Sequence, residues 1–192
     1  MSADSMKVGE VLSARMNAGT KRNETAFVHG HYEIECRDAE GNLLWSDSFD
    51  NMVVNAGLNY LIASGVVSGN AYMGLISASG YTGVALTDVI GTHGGWQEAG
   101  QGSYGPTYGT TRPLIAWGTI SNEAVSNGSG CSYTMTGSGT IEGGFIVLGP
   151  SASPTVGNTT GGVLFSAGAL TVPQPVVSGN AVTMTYTLTT SG

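Results

Sequence analysis

From His29 onward, apolar and polar residues alternate with a period of two. Over residues 31–37, Tyr32, Ile34 and Cys36 share one face while charged side chains take the other, the signature of a strand with one wet face. Asp38, Gly41 and Asn42 mark a turn, and residues 43–49 read as the returning strand of a hairpin. Asp50 and Asn51 signal either a helix start or a further short strand through Met52 and Val54, before residues 56–63 read as one short helix.

Beyond Gly69 the chain predicts short strands joined by glycine-rich links, at residues 72–76, 114–117, 132–136, 140–148 and 163–167. The closing strand is the most regular: Val182, Met184, Tyr186 and Leu188 alternate with Thr183, Thr185, Thr187 and Thr189, as an antiparallel strand with one solvated face requires. The expected fold is all-β, an antiparallel β-sandwich or jelly-roll-like domain over 27–192, carrying one short helix and preceded by an extended N-terminal arm, 1–26. In the arm, Val8, Val11, Leu12 and Met16 recur at roughly helical spacing ahead of a breaker cluster at 17–23. Residues 77–111 lack a regular pattern and are long for a loop, which predicts a functional excursion or a subunit contact.

Composition sharpens this picture. The 192 residues are 41% apolar and only 10% charged, with 31 Gly and a net charge of −7. That excludes a coiled coil, a helical bundle and a basic nucleic-acid binder, so no nucleic-acid partner is expected. No apolar run approaches the roughly 20 residues that span a bilayer, and the N-terminal stretch has no continuous apolar core for a secretory signal, so synthesis in a cytoplasm and no membrane partner are expected. Charge is also unevenly placed: after residue 60 the only ionised side chains are Asp88, Glu98, Arg112, Glu123 and Glu142. A surface so poor in Lys and Arg loses little side-chain entropy when another protein covers it.

Candidate chemistry is sparse. Hydrolase, zinc-protease and P-loop motifs are missing, and both lysines, Lys7 and Lys21, lie in the arm. The run from Gly100 to Gly105 matches G-x-G-x-x-G, yet Pro106 and Gly109 follow where a dinucleotide fold needs a helix. His29 and His31 at i, i+2 could present two metal ligands from one strand, with His93 as a third, and Asp47, Asp50 and Asn51 offer oxygen ligands without the density of a calcium loop. Glu98, Glu123 and Glu142 could supply the two carboxylates of a glycosidase, and Trp96, Tyr104, Tyr108 and Trp117 a surface or interface aromatic platform for sugar. The bland reading of each is structural, and the expectation is a protein with no catalytic residues, metal or cofactor. Cys36 and Cys131, 95 residues apart and outside any C-x-x-C, read as two buried free thiols.

Several stretches in combination carry a resemblance: Tyr72 to Ile76, Thr87-Asp88, His93 to Glu98, Arg112-Pro113 with Trp117, Gly139 to Phe145, Gly162 to Ala167, and Val177 to Asn180 before the threonine strand, with Asp50 to Leu58 upstream. Over about residues 30–190 the chain resembles a family of small structural proteins of tailed bacteriophages. It departs from that pattern at Asn180, where Asp is usual, a change a turn tolerates. The resemblance implies a virion component, a capsid decoration or cement protein that binds the outside of the assembled head and bridges capsid subunits. Its implied partners are the major capsid protein and further copies of itself, a trimer by analogy. On that view Val8, Val11, Leu12 and Met16 form the capsid or subunit contact. The alternative is a tail, neck or fibre component, in the last case a glycan-binding adhesin using the 93–117 aromatics.

Overall fold

The structure, a computed structural model, describes residues 27–54, 56–57, 69–121 and 124–191. The arm with Val8, Val11, Leu12 and Met16 lies outside the described residues, as does the expected helix beyond Ala56 and Gly57, which are helical. Ten strands follow in order: β1 (Phe27–Arg37), β2 (Leu43–Asp50), β3 (Met52–Val53), β4 (Ala71–Ser77), β5 (Gln97–Glu98), β6 (Ala124–Ser126), β7 (Cys131–Thr134), β8 (Gly139–Leu148), β9 (Val163–Val176) and β10 (Ala181–Ser191). They form two five-stranded antiparallel sheets. One has the order β2-β1-β10-β6, with β7 also pairing β10; the other is β3-β9-β8-β4-β5. Among the described residues no helix is long and apolar enough to cross a membrane.

The first sheet follows the period-two pattern. Tyr32, Ile34 and Cys36 of β1 and Val182, Met184, Tyr186 and Leu188 of β10 all point into the sandwich, and the residues between them face outward. Tyr32 stands opposite Tyr186 and Phe49 in the ladder, stacks on Phe49 at 4.9 Å between ring centres, and donates or accepts a 2.8 Å bond with Ser166 Oγ of the facing sheet. That bond satisfies a hydroxyl that burial would otherwise penalise.

The second sheet is buried on both faces, which is why β8 and the first half of β9 read as nearly continuous apolar runs. Its inner face joins Met73, Leu75, Ile146 and Phe165 to the main core, while its outer face carries a second cluster of Ile76, Phe145, Val147 and Leu164. That second cluster is roofed by the irregular excursion after β4, which contributes Ile90 and Trp96, and by Ala152 of the β8–β9 connection. The excursion read as a functional loop or subunit contact is therefore a lid on the protein's own core. Residues 114–117, expected as a strand, contribute a single bridge, Leu114 to Tyr72, with Met73 N donating to Pro113 O (3.1 Å) and Ile115 N to Ala71 O (2.7 Å). Pro113 cannot donate to a ladder, and the segment covers the edge of β4 next to β5 while Ile115 adds to the main core.

Close approach demands glycine at several positions, two of them in the second sheet's central strands. In β8 a Cβ at Gly143 would strike the carbonyl of Gly168, and in β4 one at Gly74 would strike the Phe145 ring.

Candidate functional site

Every charged side chain among the described residues after Gly69 is buried. Glu98, at the end of β5, and Arg112, in the covering segment, are 2% and 3% exposed and face each other in a two-pronged pair: Nε donates to Oε1 (2.8 Å) and Nη2 to Oε2 (2.7 Å). Glu98 also accepts from Tyr108 OH (3.1 Å) and Gly157 N (2.6 Å). Arg112 spends further donors on Ser153 O and Asn158 O, both at 3.1 Å, and its guanidinium lies 5.2 Å from the centre of the Phe145 ring. The network ties the β4 edge to the β8–β9 connection. The Tyr108 phenol is pushed well up, by burial first and by the adjacent Glu98 second.

A second buried carboxylate does similar work. Asp88 Oδ2 accepts from Trp96 Nε1 and from Ala85 N, each at 3.0 Å. Trp96 is fully buried, stacked on His93 (3.8 Å) and tilted against Phe145 (5.0 Å). Glu142, at a register shift in β8, has its carboxyl raised by burial.

These placements correct the aromatic-platform expectation. Trp96 and Tyr108 are core residues, because their ring area covers the second sheet and their polar atoms are consumed by Asp88 and Glu98. Tyr104 and Trp117 are half-buried; Trp117 packs edge-on against Tyr186 at 6.2 Å. No sugar-stacking surface spans residues 93–117. Glu98, a candidate acid or base, has both oxygens engaged and no open face, and Glu123 lies outside the described residues. The Gly100–Gly105 match is a tight turn in which Gly100 N donates to Tyr104 O (2.7 Å), with no helix behind it.

Of the metal-ligand candidates, His31 Nδ1 bonds Asp50 Oδ1 (2.8 Å) on the outside of the first sheet, whereas His93 Nδ1 bonds Trp96 O (3.0 Å) over the second. The sandwich separates them, and among the described residues no three His, Cys, Asp or Glu side chains gather around a common point. Cys36 and Cys131 are buried free thiols. Their partners on β10, Val182 and Met184, put two strand spacings, about 10 Å, between them, beyond the roughly 7 Å limit for a bridge. Burial pushes the Cys131 thiol up to about 11.

What remains exposed divides by side. The outer face of the first sheet and its β1–β2 turn carry exposed Glu33, Glu40 and Asp50 and half-buried Glu35, Arg37 and Asp38, while half-buried Asp47, in register with Ile34, turns toward β9 and accepts from Thr171 N. The rest of the described surface presents hydroxyls, backbone and isolated apolar side chains such as Leu86, Val89, Leu114 and Ile120. No feature of the sequence foretold that Asp88, Glu98, Arg112 and Glu142 would all be buried; their scarcity was the one signal. No protein-family model, curated protein or solved structure matches the chain.

Proposed function

We propose that the chain is a structural protein of a tailed-bacteriophage virion, a decoration or cement protein that binds the outside of the assembled head and bridges its capsid subunits. The observation that carries the reading is the half of the described surface that bears no charged side chain. With Asp88, Glu98, Arg112 and Glu142 withdrawn into the fold, that surface has the composition of a protein–protein contact, depleted in Lys, Glu and Asp. Covering it costs little side-chain entropy and strands no charge. Repetition supplies what a single contact lacks, since a copy that touches adjoining capsid subunits binds through several weak contacts at once. A protein that binds only the assembled lattice stabilises that lattice by mass action, and this is the mechanism of cement. The apolar arm positions Val8, Val11, Leu12 and Met16 are assigned to the clamp across a neighbouring subunit.

The test pairs two measurements. Protein lacking residues 1–26 is expected to keep its cooperative unfolding and to lose binding to expanded heads; undiminished binding removes the clamp. Copy number per purified particle, by quantitative mass spectrometry against the major capsid protein, is expected near stoichiometry. A handful of copies would move the chain to the neck, tail or fibre, and absence from particles would end the virion reading.

A further inference from the structure

On one side of the sandwich the outer edge of β2 meets the second half of β9. β3 pairs β9 only at Ser166 and Ala167, and among the described residues no strand pairs with the outer edge of β2 or with that of β9 from Leu170 onward. Of the strands at the sheet ends, β2 is the longest with 8 residues, against 2, 2, 3 and 4 for β3, β5, β6 and β7. An edge of that length offers a row of unpaired backbone groups to any further strand. Asn51 N donates to Gly30 O (2.9 Å). By the alternation of the β1–β2 ladder, Trp45, Asp47 and Phe49 therefore turn their N–H groups to β1, and Ser46 and Ser48 turn theirs to the open side.

Side chains close this side in place of a ladder. Asp47 points inward, in register with Ile34, and its carboxylate reaches both edges: Oδ1 accepts from Ser48 N (2.8 Å) and Oδ2 from Thr171 N (3.1 Å). Trp45 Nε1 donates to Pro175 O (3.3 Å), and Pro173 and Pro175 have no N–H to offer a strand. Asp47 Oδ1 thus stands where the carbonyl oxygen of a strand added to β2 would have to lie. We infer that Asp47 is a guard on the β2 edge, and that the occupant it excludes is β2 of a second copy. The strand is self-complementary about a two-fold axis at Ser46, which sets Ser46 against Ser46, Leu44 against Ser48, Trp45 against Asp47 and Asn42 against Asp50. No acidic residue then opposes another, and each Ser48 N–H would meet a Leu44 carbonyl, the bond that Asp47 forestalls. Leu43 and Leu44 at the start of β2 and Val172 beside Thr171 are exposed, so pairing would also bury apolar surface. The inference is read on free protein and does not depend on head binding.

Amide hydrogen exchange on the full-length protein tests the clasp. The Ser48 and Thr171 amides are expected to exchange at least about tenfold more slowly than that of Ser46, which shares the edge without a cap. Equal rates at Ser46 and Ser48 would overturn it. Sedimentation tests what the clasp prevents, on variants first shown to unfold cooperatively. Asp47→Ala is expected to raise self-association at least about tenfold over the parent. Asp47→Asn should raise it less, since its amide oxygen keeps one of the two bonds, and it carries the comparison alone if Asp47→Ala does not fold. Adding Ser46→Pro should return association to the parental level: Ser46 N makes no bond to β1, so proline is tolerated there and removes the donor at the two-fold. Association no higher than the parent's in a folded Asp47 variant would overturn the guard. Association that persists with Ser46→Pro would overturn β2 as the pairing edge.

Discussion

Glu98 and Arg112 meet with every carboxylate oxygen and four guanidinium N–H groups matched, so neither charge is free to do chemistry. A pair so placed is costly to break and cheap to replace, because removing one partner leaves a buried, uncompensated charge. Arg112→Met and Glu98→Gln are each expected to destabilise the fold by about 3–5 kcal/mol, and the double variant by clearly less than their sum. Chemical denaturation of the four proteins measures it; additive losses would mean that the two side chains stabilise separate parts of the molecule. None of this could be read from the chain itself. The two residues are 14 apart, and besides Tyr108 the groups that complete their shell come from Ser153, Gly157 and Asn158, 41 to 59 residues further on. Charge scarcity after residue 60 made both conspicuous, and their buried role emerged only with the fold.

At the scale of elements, period and burial explain what could be read in advance. β1 and β10 alternate because one face is wet, and β8 runs apolar because both faces are covered. The excursion over the second sheet stayed illegible for a physical reason: a lid places Ile90 and Trp96 by turns and long-range contact, so no period marks them. The broken edge beside β10 was also hidden. Asn127, between β6 and β7, bridges the gap by imitating a strand: its Oδ1 accepts from Tyr186 N (2.7 Å), its Nδ2 donates to Met184 O (3.4 Å), and its own N donates to Tyr186 O (3.2 Å). Asn127→Ala should cost about 1–3 kcal/mol, the penalty for a buried donor left unpaired. Amide hydrogen exchange at Tyr186 should accelerate with it, whereas exchange at Tyr32 should follow only the global loss. Asn127→Asp should not rescue the edge, since its second oxygen would face the Met184 carbonyl.

For the whole molecule the decisive property is that charge lies on one side. The first sheet turns an acidic, hydroxylated face outward, and the opposite half is neutral wherever it is described. If the neutral half seats on the shell, the acidic face is left to solvent and to neighbouring copies, and like charge keeps free molecules from stacking through it. Leu86, in the lid over the second sheet, and Leu114, on the β4 edge, are 49% and 58% exposed and test that orientation because neither contributes to the core. Leu114→Lys and Leu86→Glu should leave thermal unfolding within about 0.5 kcal/mol of the parent, as exposed substitutions generally do. Each should weaken binding to expanded heads at least about tenfold, because seating the protein would then desolvate an unpaired charge. Glu40→Lys, in the β1–β2 turn on the acidic side, should leave binding unchanged. If Glu40→Lys abolished binding while Leu114→Lys and Leu86→Glu bound normally, the molecule would have to be turned over on its shell. The neutral half would then need another explanation for its lack of charge.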